Sequence, residues 1–345
     1  MSLKVANTIV ITDDLRGRFA NTTFTGGAYL VMPEDPSVER RNQGTISGYA
    51  SGGIITPPPN RSETIDKFPF AVDTNATDVG DLTLRRTNPG GNSSKSHGYT
   101  AGGYTDNNPG DGRSNVIDKF PFATDADATD VGDMVAGTAD IAGQSSDTHG
   151  HLSGGRLPPG GTTEDIERFP FAADNNAIDL ADITQSKHSA CGLESLTRGF
   201  TSGGVVPPAS PSFVTRIDAF PFASITNAGI TGTLATGSGR VSKGQQTESH
   251  GYMSGGQSQP DGTVIGDIQK FSFVSDSNAS DVGDLSQSRR GNTASSSPTH
   301  GYAIGGTENP DFVTTIDKFP FASDGTATDV GDTTQAREMS AGHQR

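Results

Sequence analysis

Ile65-Asp66-Lys67-Phe68-Pro69-Phe70-Ala71 is the stretch that decides the fold, because the string returns at 117–123, 166–172, 217–223, 268–274 and 316–322. The steps are 52, 49, 51, 51 and 48 residues. A self-similar unit of about 50 residues, built from short strands punctuated by turns, is the mark of a propeller blade. One unit reads as four strands. In the last copy Asn292-Thr293-Ala294-Ser295-Ser296 is a first strand of small residues. Pro298-Thr299-His300-Gly301 reverses the chain, and Tyr302-Ala303-Ile304-Gly305-Gly306 is the second strand. Ile316-Asp317-Lys318-Phe319 and Thr328-Asp329-Val330-Gly331-Asp332 supply the third and fourth.

A Gly-Gly pair ends each second strand, at 52–53, 102–103, 154–155, 203–204, 255–256 and 305–306. Glycine there marks a bulge, a bend or a close backbone approach. An aromatic stands ahead of the pair as Tyr49, Tyr99, Phe200, Tyr252 or Tyr302, with His151 in the third copy. The last copy is followed by residues 333–344, which match the opening of a first strand and then stop, while the first copy lacks that strand. The expected fold is therefore all-β: a six-bladed propeller of four-stranded antiparallel blades, closed by the C-terminal strand pairing into the first blade. That pairing would cover an edge otherwise open to aggregation. Residues 46–345 form the propeller and 1–45 an N-terminal segment, read as an attachment strand and linker.

The formal charge of −15 opposes nucleic acid and anionic membranes, since neutralising phosphate needs clustered Lys and Arg. Cys191 is the only cysteine and excludes an internal disulfide framework. The start lacks an apolar run long enough for a signal peptide or a membrane span.

Several patterns invite a chemical reading. His97, His149, His250 and His300 share one station, each followed by Gly. A metal ring is one reading, but the expectation is turn chemistry, with a left-handed His before Gly in a two-residue hairpin. Acids crowd 73–81, 125–133, 174–182, 276–284 and 324–332; weak calcium sites are conceivable, but Asx turns account for them. The fourth copy loses those acids, with Ile225, Gly229, Ile230 and Thr233 at the equivalent stations, yet keeps the repeat. No nucleophile motif, phosphate loop or zinc signature occurs, so no catalytic residue, no metal site and no cofactor is expected. Cys191 reads as a packing residue.

What varies between copies is the loop joining strands two and three, at 54–64, 104–116, 156–165, 205–216, 257–267 and 307–315. All six emerge on one face, where repeat proteins commonly bind. Pro57, Arg61, Tyr104, Asn107, Arg156, Phe213, Gln257, Asp261, Asn309 and Phe312 are the candidate binding residues on that face.

These units resemble the kelch family of propellers. Ile65-Asp66-Lys67-Phe68-Pro69-Phe70 is similar to the family's third strand, and Arg289 or Arg290 to the Arg before its first strand. Val79, Val131, Leu180, Val282 and Val330 stand near the place of its fourth-strand Trp. The stretch from Leu3 to Arg16, Leu-Lys-Val-Ala-Asn-Thr-Ile-Val-Ile-Thr-Asp-Asp-Leu-Arg, resembles the opening of bacteriophage virion and tail-fibre proteins. That resemblance implies an attachment end in 1–45, contacting other virion proteins, and a displayed propeller. The expected function is a non-enzymatic binding module of a virion, recognising a host surface glycan or protein. The alternatives are a cytosolic kelch-like scaffold for a partner protein and a propeller hydrolase or lyase.

Overall fold

The computed structural model of the chain describes residues 3–5, 8–11, 43–57, 60–106, 112–207, 213–224, 226–241, 243–258, 262–308 and 310–345. The chain divides into two compact units, Met1–Glu39 and Arg40–Arg345. In the first, Leu3–Val5 pairs antiparallel with Thr8–Ile11. In the second, the described residues contain no helix and form six four-stranded antiparallel sheets arranged as a β-propeller. Blade two is representative: Gly90–Ser93, His97–Ala101, Val116–Pro121 and Thr129–Asp133, from the axis outward.

Blade one draws on both ends of the propeller sequence. Its outer strands are Ser47–Ser51, Thr64–Pro69 and Thr77–Asp81, and its innermost strand is the C-terminal Ala341–Gln344. Gly48 faces Gln344 and Ser51 faces Ala341, so the strand that follows the sixth copy pairs into blade one. Each blade is a separate sheet, so neighbouring blades are joined by side chains and by crossing segments.

The repeated aromatics make the side-chain joint. Tyr49 of blade one stacks on Phe122 of blade two at 4.9 Å, and Tyr99, His151, Phe200 and Tyr252 likewise meet Phe171, Phe222, Phe273 and Phe321. Tyr302 then stacks on Phe70 at 4.9 Å, returning the series to blade one. The second Phe of each Phe-Pro-Phe (Phe-Ser-Phe in blade five) thus serves the preceding blade. The first lies over the glycine of its own second strand and also meets the preceding blade's aromatic, Phe120 being 5.8 Å from Tyr49, and this corrects the reading of the His-Gly pairs. A Cβ on Gly98 would lie 2.2 Å from Phe120 Cζ, so the glycine leaves room for the cross-strand ring. His97, His149, His250 and His300 begin second strands and do not adopt a left-handed conformation. Each ring's Nδ1 lies 2.8–2.9 Å from the hydroxyl of the preceding Ser or Thr. Among the described residues no cluster of metal-ligating groups is present. The Gly-Gly pairs do take positive φ, +68° and +106° at Gly52 and Gly53, a bend that a side chain would strain.

The crossings from one blade to the next carry buried ion pairs. Arg86 donates to Asp118 at 2.8 Å and Arg337 to Asp66 at 2.8 Å, all four side chains being 0–1% exposed. Arg289–Asp317 and Lys187–Asp218 repeat the arrangement. Arg337 also donates to the carbonyls of Gly52 and Thr64, fastening the C-terminal segment to blade one. At the two remaining crossings the cation is replaced by neutral Thr138 or Ser238, and the acid station holds Glu167 or Gln269. Gln269 makes a neutral pair of bonds with the Thr236 backbone. Glu167 accepts one backbone bond, from Val135, and burial pushes its carboxyl up to about 7.

The acid-rich strings serve turns and neighbours. Asp78, Asp130, Asp281 and Asp329 accept the amide two residues ahead, as Asx turns do. Residues such as Asp127 and Asn176 instead accept Asp81 and Asp133 amides of the previous blade. Cys191 is fully buried in an apolar cluster with Leu193 and Phe200.

Candidate functional site

Each crossing segment reaches the axis at one residue before it turns outward into a first strand. The six are Asn88, Asp140, Ser189, Arg240, Gly291 and Met339, all left-handed with φ between 53° and 69°. Their amides form a circuit. Asn88 donates to Met339, Asp140 to Asn88, Ser189 to Asp140, Arg240 to Ser189, Gly291 to Arg240 and Met339 to Gly291, over 2.5–2.9 Å. The left-handed turn is what aims each N–H at the preceding carbonyl. It costs roughly 1 kcal/mol or more at each non-glycine residue.

The circuit is a floor. Beneath it lies a void of about 20 Å³ lined by Pro89, Ile141, Ala190 and Val241, no more than about one water wide. Deeper still, the Lys243 ammonium lies 3.4 Å from Glu194 and 3.5 Å from the Gly91 carbonyl. Above the floor, on the loop face, a funnel of about 580 Å³ opens between the loops of blades one to four. Volumes of this order hold small ligands.

Arg61, Tyr104, Arg156 and Phe213, four of the residues expected from sequence, line this funnel. Pro57, Gln257 and Phe312 do not line it: Gln257 pairs with Gly239 and bonds the Gly262 carbonyl, and Phe312 bridges Thr307. Asn107, Asp261 and Asn309 lie outside the described residues, as does Ile225.

The floor supplies what the loops alone lack. Asp140, 9% exposed, accepts hydrogen bonds from Asn88 Nδ2, from Ser189 Oγ at 3.1 Å and from Tyr104 Oη at 3.3 Å. Arg156 Nε lies 3.4 Å from the same carboxylate, and its Nη2 is 3.0 Å from His188 Nε2. A guanidinium can only donate, so Nε2 is the accepting nitrogen and the imidazole proton sits on Nδ1, 2.9 Å from Ser189 Oγ. Burial takes His188 down to about 4; Asp140 opposes the shift, and Arg156 and Arg240 add to it. The ring is neutral near pH 7.

Chemically this is a positioning network. A serine nucleophile needs a base that accepts its proton, yet the nitrogen facing Ser189 carries a proton and the serine donates to Asp140. Arg61 pairs with Asp106, and Arg290 lies 3.9 Å from Glu338. Arg240 differs: among the described residues no carboxylate lies within 4 Å of its guanidinium. Burial and the nearby Arg290 both pull on its proton affinity, but arginine stays charged.

Neither a scan against protein-family models nor a search of curated proteins returns a match.

The floor residues escape a reading of loop variation because the signal at each is one position wide. It is legible in alignment: Arg86-Thr87-Asn88, Thr138-Ala139-Asp140, Lys187-His188-Ser189, Ser238-Gly239-Arg240, Arg289-Arg290-Gly291 and Arg337-Glu338-Met339 end on six different residue types.

Proposed function

We propose that the chain is a non-enzymatic binding module whose funnel recognises a host-surface glycan, displayed on a virion that it joins through residues 1–45. The observation that carries the binding reading is the floor itself. Five non-glycine residues are held left-handed on a rigid frame, and they present five different side chains into one concavity. Strain of that kind persists where the surroundings over-determine it, which is common at ligand sites. The N-terminal likeness to phage virion openings supports the setting.

A glycan suits the funnel better than a protein face does. Protein interfaces centre on buried apolar anchors within about 800 Å² per partner. Among the described residues the exposed large hydrophobics, Ile46, Val72, Val135, Ile178, Leu196, Ile230 and Val274, all lie outside the loops joining strands two and three. The funnel walls set polar and charged groups beside Ile54, Val205 and Phe213, and its base is shut, as suits the end of a sugar chain with both hydroxyls and apolar faces to bury.

A glycan array with the full chain, repeated after exchanging loops 54–64 and 205–216 for their counterparts in blade six, tests this. Binding that falls at least tenfold on exchange supports the reading. Binding untouched by the exchange overturns it, and capture of a cytosolic protein through the same loops would put a kelch-like scaffold in its place.

A further inference from the structure

The protein carries fifteen net negative charges, yet the funnel holds an excess of positive charge. Among the described residues its lining includes Arg61, Arg156 and Arg240 against the single carboxylate of Asp140. Asp106 offsets Arg61, and Asp140 is shared among Asn88, Ser189, Tyr104 and Arg156. Glu338 is engaged by Thr307 and lies beside Arg290. What is left over is Arg240, at the floor, with Arg290, Glu338, Asp140 and Arg156 in electrostatic reach but, among the described residues, no carboxylate within 4 Å. Its side chain is exposed in the funnel, where an entering anion meets it.

We propose that the funnel binds a carboxylated sugar at the end of a glycan, its carboxylate held by Arg240 with Arg156 as second donor. This inference rests on the binding reading above and specifies the ligand's chemistry. A planar guanidinium matches a carboxylate with two parallel hydrogen bonds, stronger and more directional than neutral ones. Asp140 and His188 hold Arg156 from two sides, so its remaining N–H groups are pre-aimed and little is lost on binding.

The ligand carries one acidic group and is not a polyanion. Among the described residues the funnel lining offers one cation with no carboxylate within 4 Å, and the net charge outside it repels extended anionic chains. The shut floor admits a terminal residue and blocks a chain passing through. The same features weigh against an acidic peptide, which would run along an open strand edge or groove.

Isothermal titration of the full chain tests the inference with four probes: a sialyl- or glucuronyl-terminated oligosaccharide, its carboxyl-amidated form, the neutral sugar lacking the acid, and an acidic peptide. The acidic oligosaccharide should bind and amidation should weaken it at least tenfold. Arg240→Asn should weaken it by a similar factor, Arg240→Lys by less, and Arg85→Gln, at the exposed Glu63 pair, by less than twofold. Asparagine accepts the left-handed backbone, so an unchanged melting curve for Arg240→Asn establishes that the floor is intact. Equal binding of acidic, amidated and neutral sugars overturns the anion inference and leaves glycan recognition standing. Binding of the peptide alone overturns both, and so does the absence of binding to every probe.

Discussion

The blade bodies and the axial floor derive from the same sixfold repeat and treat it in opposite ways. In the bodies, equivalent stations do equivalent work: six aromatic stacks of 4.5–4.9 Å join successive blades, five of them through Tyr or Phe and the sixth through His151. On the floor the backbone is as regular as anywhere, yet the side chains are Asn, Asp, Ser, Arg, Gly and Met. Repetition therefore supplies rigidity, and variation is confined to where a ligand could be read. The crossings lie between these extremes. Four keep the cation–acid pair, and two have changed both members together.

The sharpest way to break the comparison is to attack the frame where the chain ends meet. Arg337→Ala leaves Asp66 buried without its cation, which costs about 3–5 kcal/mol. Thermal melting should fall by roughly 10 °C, taking 2–4 °C per kcal/mol for a domain of this class. Removing residues 337–345 altogether should cost more, since blade one then also loses its inner strand. An unchanged melt in either variant would refute the proposed fastening of the tail.

A smaller effect separates the crossings from one another. Glu167 has no cation beside it, and its carboxyl titrates at about 7 in the folded chain against 4.5 in the reference state. The folded state therefore holds a proton that the unfolded state has released, and stability declines as pH rises from 4.5 to 7, by roughly 3 kcal/mol in all. Glu167→Gln removes that decline, and Gln269 shows how an amide is accommodated at the station. Denaturant titrations at pH 4 and pH 8 should show Glu167→Gln gaining relative to wild type only at the higher pH; equal differences at both would contradict the assignment. Buried His151 and His343, both held down to about 3 by burial, act in the other sense, destabilising the fold as pH drops below 6.5.

The period and the punctuation of the chain made the blades legible, and the unmatched strand at 337–345 made the tail pairing legible. The role of glycine after His97 was not, because turn chemistry and room for a cross-strand ring demand the same residue. Nor was the partnership of Arg86 with Asp118, which lie 32 positions apart and become neighbours only when the crossing folds onto the blade. Half of the funnel could be read from the loops through Arg61, Tyr104, Arg156 and Phe213. The other half, Asn88, Asp140, His188 and Arg240, lies on crossings whose left-handed turn has a residue signature only at Asn88, Asp140 and Gly291.

The most direct test of the account is amide hydrogen exchange on the full chain with and without a saturating carboxylated oligosaccharide. Added protection should fall on residues 54, 61, 87–88, 104, 140, 156, 188–189, 205 and 240, all lining the funnel. Protection on the outer fourth strands, or none anywhere, would contradict the claim that this fold places recognition where its repeat is broken.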